Sequence, residues 1–117
     1  MYIIQCYAPI NNSNDDIKDQ FYERMQSIIK HCPRKNLTIL MGDINAKVGI
    51  DNTGYEDIMG RHELGERSEN GGRFVNLCAW NKLVIGGTIF PRKRIIKATW
   101  ISSDHITENQ IDHICIN

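Results

Sequence analysis

The run LTILM, residues 37–41, constrains the fold of this chain more than any other segment. It is apolar or β-branched on both alternating faces, a pattern typical of a strand buried on both sides of a sheet. Such a strand is central, so other elements must flank it. The run stops at Gly42, and an acid, Asp43, and an amide, Asn45, follow one residue apart. Buried polar side chains need a partner, so this strand end needs a structural or chemical reason.

The segment before this strand predicts a second strand and a helix. YIIQCYA, residues 2–8, has strand composition and stops at Pro9. The turn-forming cluster NNSNDD follows, with several candidate N-caps. A helix is predicted from about Asp15 to Lys30, because four large apolar residues recur at three- and four-residue spacing. The four residues expected to face the sheet are Ile17, Phe21, Met25 and Ile28.

The remainder of the chain mixes one helix with short strands. Residues 48–72 lack periodicity and predict a long loop, a kind of segment that is often functional. NGGRFVNLCAWNKL predicts a helix capped near Asn70, and its inward positions are Phe74, Leu77, Cys78 and Ala79. Strands are predicted in residues 83–90, 98–102 and 110–116, with a Gly-Gly break in the first of them. A single domain of the α/β or α+β class is therefore expected.

The charge balance neither favours nor excludes a nucleic-acid partner. Fourteen basic and fourteen acidic side chains give a formal net charge of zero, whereas nucleic-acid binders usually carry a basic excess. An enzyme acting on a polyanion can nevertheless concentrate its positive charge in one groove. The only basic run is PRKRIIK, residues 91–97, and a solvated turn explains it equally well.

The cysteines and the apolar segments bear on compartment. Cys6, Cys32, Cys78 and Cys115 form no Cys-x-x-Cys pair, so a zinc framework is not indicated. We expect all four to be reduced, as in the cytosol or nucleus. The apolar start is too short for a signal-peptide core, and no stretch reaches the length of a membrane span. A nuclear or cytoplasmic protein, neither secreted nor bound to a membrane, is expected.

Two strand ends carry candidate site residues. Ligands in α/β sheets bind outside the carboxyl ends of the strands, where Asp43 and Asn45 are expected. Asp43 needs a metal, a water or a donor, and Asn45 could hold a phosphate or a water; an Asx-turn is the alternative. Tyr7 ends the first strand, and its phenol could donate to a phosphate oxygen. A half-buried aromatic at a strand end is the alternative for Tyr7.

Asp112 lies inside the last apolar strand. Strand alternation places it on one face with Gln110 and Ile114, while His113 faces the other way. A carboxylate in that position commonly orients an imidazole or pairs with a base. A structural salt bridge is the alternative.

These motifs form an ordered series: YAP after one strand, GDINA after the next, then ATW and QIDHI. The series resembles the endonuclease/exonuclease/phosphatase superfamily. Residues 60–100 are similar to the endonuclease domain of RTE-type non-LTR retrotransposons and of the craniofacial-development-protein-like genes that share it. The resemblance covers essentially the whole chain. It implies part of a deoxyribonuclease-like four-layer α/β sandwich.

The resemblance also implies roles. Asp43 would orient the attacking water or accept its proton, Asn45 would hold the scissile phosphate, and Tyr7 would support that phosphate. Asp112 would orient the catalytic histidine. A Mg²⁺ ion would share the phosphate charge as a Lewis acid and template. The two further positions implied for substrate binding are Trp100 and Arg73.

Two parts of the family pattern are expected outside this chain. The magnesium-binding glutamate would precede residue 1, and the Ser-Asp-His segment would follow residue 117, so we expect a truncated domain whose main metal ligand lies elsewhere. The motif SSDH, residues 102–105, precedes the Asp112 strand instead of following it. We therefore interpret it as a turn, with His105 exposed to solvent and away from Asp43.

The expected function is Mg²⁺-dependent hydrolysis of phosphodiester bonds in DNA, weak or absent in this fragment. DNA would be the substrate, and the partners would be the missing parts of the domain or a neighbouring reverse transcriptase domain. Two alternatives stay open. One is a non-catalytic remnant of the domain, and the other is a phosphatase of the same fold that acts on a small phosphoester.

Overall fold

The computed structural model describes residues 1–33, 35–63, 65–89, 100–101, 108–109 and 112–117. Six strands and two helices follow one another in these ranges. They are β1 (Tyr2–Tyr7), α1 (Asp15–Lys30), β2 (Thr38–Asp43), α2 (Glu69–Asn81), β3 (Val84–Ile85), β4 (Trp100–Ile101), β5 (Glu108–Asn109) and β6 (Asp112–Ile116). The mixed α/β class predicted from the sequence is confirmed.

The main sheet has four strands in the order β1-β2-β6-β3. β1 and β2 are parallel, and β6 is antiparallel to both β2 and β3. The last strand of the chain is thus inserted between the second and the third. β4 and β5 form a separate two-stranded antiparallel pair. The central position predicted for residues 37–41 is confirmed, because β2 has a partner along each edge.

Helix α1 has the predicted bounds, and its local chemistry explains them. The side chain of Asn14 caps the first turn by accepting from the Ile17 amide at 2.9 Å. Asp15 and Asp16 in the first turn and Lys30 in the last turn complement the helix dipole.

The face that α1 turns to the sheet differs from the predicted one. Ile17 and Ile28 are 50% and 42% exposed. The buried positions of the helix are Lys18, Tyr22, Met25 and Ile29. Of the predicted stripe, Met25 is buried and Phe21 packs at the edge of the core. The face is rotated because Lys18 buries its aliphatic stem while its Nζ lies 3.5 Å from a Glu69 carboxylate oxygen of α2.

The structure of α2 and of the elements after it confirms some of the remaining predictions and corrects others. Phe74, Leu77 and Cys78 are buried as predicted, and Ala79 packs at the edge of the core. The strand predicted over residues 83–90 is wrong in length, because β3 has two residues and a 3₁₀ turn occupies 86–88. The Gly-Gly pair ends the strand there. The basic run 91–97 lies outside the described residues.

Both helices pack on one face of the sheet. The core joins Met25 and Ile29 of α1 and Phe74 of α2 to Leu40 and Cys115 of the sheet. The other face carries apolar side chains that the described elements leave open: Ile3, Ile114 and Ile116 are 57%, 59% and 38% exposed. The described helices include none that is long and apolar enough to cross a membrane.

Candidate functional site

Three of the predicted site residues end up abreast on neighbouring strands. Tyr7 of β1 is the register partner of Asp43 of β2, and Asp43 is the register partner of Asp112 of β6. Residues far apart in the sequence therefore share one end of the sheet. For Asp112 this is a statement about backbone position, because its side chain lies outside the described part of the structure.

The backbone conformation and the close packing at position 42 explain why a glycine precedes Asp43. The φ of Gly42 is +139°, and a Cβ at this position would lie 2.0 Å from the carbonyl oxygen of Cys6 on β1. Any side chain would force β1 and β2 apart. The glycine therefore keeps the Tyr7 and Asp43 strand ends in close register.

The Asx-turn alternative is observed in the structure. The Asn45 amide donates to Oδ1 of Asp43 at 3.2 Å, and Asn45 itself is left-handed with φ 50°, a region that asparagine tolerates. Asn45 Nδ2 donates to the carbonyl of Ala8 at 2.8 Å. This turn aims the polar groups at the strand end, so it is compatible with a site there.

An open cavity of about 710 Å³ lies at this end of the sheet. Tyr7, Asp43 and Asn45 all line it. Tyr7 is 75% exposed, more than the half-buried aromatic alternative implies. One hydrogen of Asn45 Nδ2 is engaged with Ala8, which leaves its second N–H and its Oδ1 for a ligand. The cavity thus combines a carboxylate, an amide and a phenol.

Cationic and neutral side chains complete the cavity wall. Lys47, Arg67, Asn11 and Asn12 line it together with one further acid, Glu66. Lys47 forms no ion pair with any described residue. Two contacts fix the side chain of Arg67. Its Nε donates to the Val48 carbonyl at 2.9 Å, and its guanidinium stacks 5.0 Å from the Tyr55 ring centroid. The wall therefore presents both charge signs, with Lys47 as the more available cation.

The thiol of Cys6, the residue before Tyr7 on β1, has a structural role and is not reactive. Burial is the main reason that the pKa of Cys6 is raised to about 11, and unfavourable electrostatic interactions of its thiolate with Cys115 and Asp43 raise it further. A thiol with such a pKa supplies almost no thiolate at neutral pH. Cys6 is therefore not a nucleophile for this site.

The start of α2 supports the segment after Asn45. Lys47 and Ser68 bond reciprocally, since the Lys47 amide donates to Ser68 Oγ at 3.1 Å and the Ser68 amide donates to the Lys47 carbonyl at 2.9 Å. Ser68 also caps α2 by accepting from the Gly71 amide at 3.0 Å. The helix terminus thus fixes the backbone that carries Lys47.

Arg73, a predicted substrate-binding residue, is not brought to the cavity. Its guanidinium contacts Asp19 and lies 3.6 Å from Asp15 and 3.4 Å from Glu69. These acids raise its pKa, and the main cause is the hydrogen bond that the Arg73 guanidinium donates to Asp19. In the structure Arg73 joins α1 to α2.

The remaining aromatic and imidazole candidates are His113, Trp100 and His105, and of these the structure describes the side chain of His113 alone. His113 faces the core as expected: it is 4% exposed, its Nε2 lies 2.7 Å from the Ala46 carbonyl, and its ring stacks on Phe74. Trp100 is placed by its backbone alone, opposite Asn109 in the β4–β5 pair. His105, with its predicted exposed turn, lies outside the described residues.

The donors at the cavity allow a test of the implied Mg²⁺. This ion takes six oxygen ligands, commonly one or two carboxylates with waters and substrate phosphates. Asp43 and Asn45 supply oxygens of the right type. Within the described ranges, however, no three His, Cys, Asp or Glu side chains gather in a group that could hold a metal ion. Among the described residues, therefore, no set of three such side chains encloses a cation at this cavity.

Sequence reasoning missed part of the cavity wall. Asn11 and Asn12 read as capping residues in a turn cluster, yet they line the cavity beside Tyr7. Lys47 has a usable signal, because it lies two residues after Asn45 on the segment leaving the strand. The contribution of Ser68 could not be predicted, since it depends on a contact between distant segments.

The fold and the cavity together define an α/β domain with a polar site at the carboxyl end of a parallel strand pair. Over 114 residues, or 96% of the chain, the sequence is 37% identical to craniofacial development protein 2 of Bos taurus. It is 36% identical over the same length to craniofacial development protein 2 of Tragulus javanicus. The chain is therefore homologous to a segment of craniofacial development protein 2. It spans only 19% of the length of these curated relatives. No protein-family model matches the chain.

Proposed function

We propose that this chain carries part of a site for Mg²⁺-dependent hydrolysis of phosphodiester bonds in DNA. The finer family assignment belongs to this proposal: an endonuclease/exonuclease/phosphatase domain of the RTE retrotransposon type, with its four-layer sandwich. One observation carries it. Tyr7, Asp43 and Asn45, the positions that the resemblance assigns to phosphate and water, line a single cavity that also contains Lys47.

The chemistry follows from the groups in that cavity. The exposed Tyr7 phenol and the second Nδ2 hydrogen of Asn45 are donors for phosphate oxygens. Lys47 adds the positive charge that a polyanion seeks. Asp43 accepts a hydrogen bond from a water and so orients the water for attack on phosphorus, or takes its proton. Binding and orientation are thus the contributions of this chain's own residues.

Mg²⁺ is part of the proposal as the ion that shares phosphate charge when it is bound. Its main ligand is expected beyond the described residues. DNA as substrate also implies a nuclear or cytoplasmic site of action. The open shape of the cavity supports a phosphate within a polymer over an enclosed small phosphoester, because small ligands are generally bound in sites that bury most of their surface.

The proposal is tested by the binding of a short fluorescein-labelled DNA duplex at low salt, followed by anisotropy. Lys47→Ala should weaken binding several-fold and lower the salt slope by about one unit, as for the loss of one phosphate contact. Lys35→Ala, which removes an exposed lysine outside this cavity, is the matched control and should change neither quantity as much. Asn45→Ala should weaken binding without changing the salt slope.

Asp43→Asn separates binding from chemistry. Removing a negative charge near the phosphate should leave DNA binding equal or tighter, whereas it should abolish whatever weak hydrolysis the chain retains. Equal effects of Lys47→Ala and Lys35→Ala, or no binding by the unmodified chain, would contradict the proposal. Displacement of the duplex by inositol phosphate at a much lower concentration than by unlabelled DNA would favour the small phosphoester instead.

A further inference from the structure

Asn70, the second residue of α2, lies beneath the cavity and binds both loops that carry the site. Its side chain is fully buried, with 0% exposure. Its Nδ2 donates to the carbonyl of Pro9 and to the carbonyl of Asn45, each at 3.0 Å. Its backbone amide donates to Oδ1 of Asn11 at 3.1 Å. One residue therefore holds the segment after β1 and the segment after β2.

These bonds do not serve the helix in which Asn70 lies. Ser68 already caps that helix. The carbonyls that Asn70 binds are 61 and 25 positions away along the chain. Its own Oδ1 has no hydrogen-bond partner among the described residues. The hydrogen bonding of this buried amide is thus directed entirely at the two loops.

The loops also contact each other directly, but through few bonds. The Ala8 amide donates to the Asp43 carbonyl at 2.8 Å, and Asn45 Nδ2 donates to the Ala8 carbonyl at 2.8 Å. One residue further along the first segment, Asn70 joins Pro9 to Asn45. A planar amide with two fixed donors sets a distance, which a hydrophobic contact does not.

We infer that Asn70 is a positioning residue that fixes the spacing between the segment after β1, which follows Tyr7, and the segment after β2, which contains Asn45, and so the geometry in which Tyr7 and Asn45 reach one phosphate. The inference rests on the proposed function for the identity of the ligand. Replacing the amide leaves the part-buried carbonyls of Pro9 and Asn45 without this donor, and the two segments separate or admit water to satisfy them.

The test compares Asn70→Ala with Asn81→Ala, an asparagine at the other end of the same helix. Asn81 Nδ2 also makes two bonds, to Gln26 Oε1 at 2.7 Å and to the Leu77 carbonyl at 2.8 Å. Asn81 Oδ1 also accepts from Gln26 Nε2 at 3.3 Å, so this variant controls for the loss of three amide bonds from α2 without touching the loops. Asn70→Leu, which is close in volume and removes the donors without adding a charge, replaces the alanine variant if the latter does not fold.

Two measurements are made on each variant. Amide hydrogen exchange of Ala8 and Asn45 should accelerate about tenfold or more in Asn70→Ala and stay within twofold in Asn81→Ala. DNA affinity should fall about tenfold in the first variant only. In addition, Tyr7→Phe should cost less affinity in the Asn70→Ala background than in the unmodified chain, because a displaced phenol has less to lose.

The outcomes are distinguishable from failure of the proposed function. If the unmodified chain does not bind DNA, the proposed function fails, and the exchange rates alone decide whether Asn70 spaces the loops. Unchanged exchange at Ala8 and Asn45, or equal effects of the two variants on exchange, would overturn the inference. Accelerated exchange with DNA affinity unaltered would overturn its link to phosphate binding. A full Tyr7→Phe effect in the Asn70→Ala background would do the same.

Discussion

Gly71 of α2 packs so closely on Lys47 that a Cβ on Gly71 would lie 1.8 Å from the Lys47 carbonyl oxygen. Gly72, the next residue, has nothing within 4 Å of its Cβ position. The two glycines therefore make a matched pair on one helix. The first permits the contact between α2 and the cavity segment, and the second has no packing reason to be glycine.

We predict opposite effects of alanine at these two positions. Gly71→Ala should lower the free energy of unfolding by about 2 kcal/mol, because backbone must shift to admit the methyl group. Gly72→Ala should raise it by about 0.5–1 kcal/mol, because glycine in a helix is costly relative to alanine. Urea denaturation followed by circular dichroism measures both. A Gly71→Ala chain as stable as the unmodified one would refute the close contact.

His113 should make stability depend on mildly acidic pH. Burial is the main cause that lowers its pKa below 6.5, and the hydrogen bond to Ala46 offsets this in part. The folded chain thus binds fewer protons than the unfolded chain below about pH 6.5, so stability falls as the pH drops below that value. The slope is at most about 1.4 kcal/mol per pH unit.

Urea denaturation between about pH 5 and 7 checks this expectation, since most carboxylates stay ionised in that range. His113→Gln should be less stable at neutral pH but should lose the slope. His62→Gln, at an exposed position, should keep it. A slope that persists in His113→Gln would assign the pH dependence to another group.

One of the four thiols should react rapidly with a disulfide reagent, and the other three should react slowly. Cys78 and Cys115 are fully buried, and the pKa of Cys6 of about 11 leaves roughly 0.1% thiolate at pH 8. Only Cys32, which is partly exposed, should react rapidly with a disulfide reagent such as DTNB. We expect one equivalent in the native chain and four in urea. Cys32→Ser should abolish the fast phase, and two rapid equivalents in the native chain would contradict the packing around Cys6.

The 117-residue chain should show no efficient Mg²⁺-dependent nicking of plasmid DNA. Among the described residues, no three acidic, cysteine or histidine side chains gather in a group that could hold a metal ion, and no histidine lines the cavity. Loss of general acid or base help from one group costs about 10²–10⁴-fold. A plasmid-relaxation assay with and without Mg²⁺, beside Asp43→Ala, tests this. Clear nicking that the variant abolishes would show that the chain itself supplies the missing groups.

Local signals were enough to predict some elements, whereas contacts between distant segments were not. The bounds of α1 follow from a capping asparagine and the acids after it, which act within one turn. The prediction of which face of α1 is buried was wrong because a lysine such as Lys18 is expected at the surface. Its burial is tolerated only because its ammonium group lies next to Glu69. No single-sequence rule could predict that contact, since the two residues belong to different helices.

The residues of the candidate site likewise divide into those that local signals predict and those that depend on contacts between distant segments. Tyr7, Asp43 and Asn45 could be placed from strand ends and glycine signals, because each marker is adjacent to its strand. That Asp112 lies opposite Asp43 depends on the register of β2 with β6, which the sequence alone does not encode locally. The role of Asn70 was hidden for the same reason. Its partners are loop carbonyls, and a backbone carbonyl has no sequence signature.

The insertion of β6 between β2 and β3 has a consequence for synthesis on the ribosome. The strands can be translated as far as β3 and still lack the strand that joins β3 to β2. Closing this sheet requires a loop of about seventy residues between β2 and β6, which is slow to form and entropically costly. A nascent chain therefore keeps an edge of β2 unpaired until β6 has emerged. Chains that stop just before residue 112 should be retained by chaperones more strongly than chains that include β6.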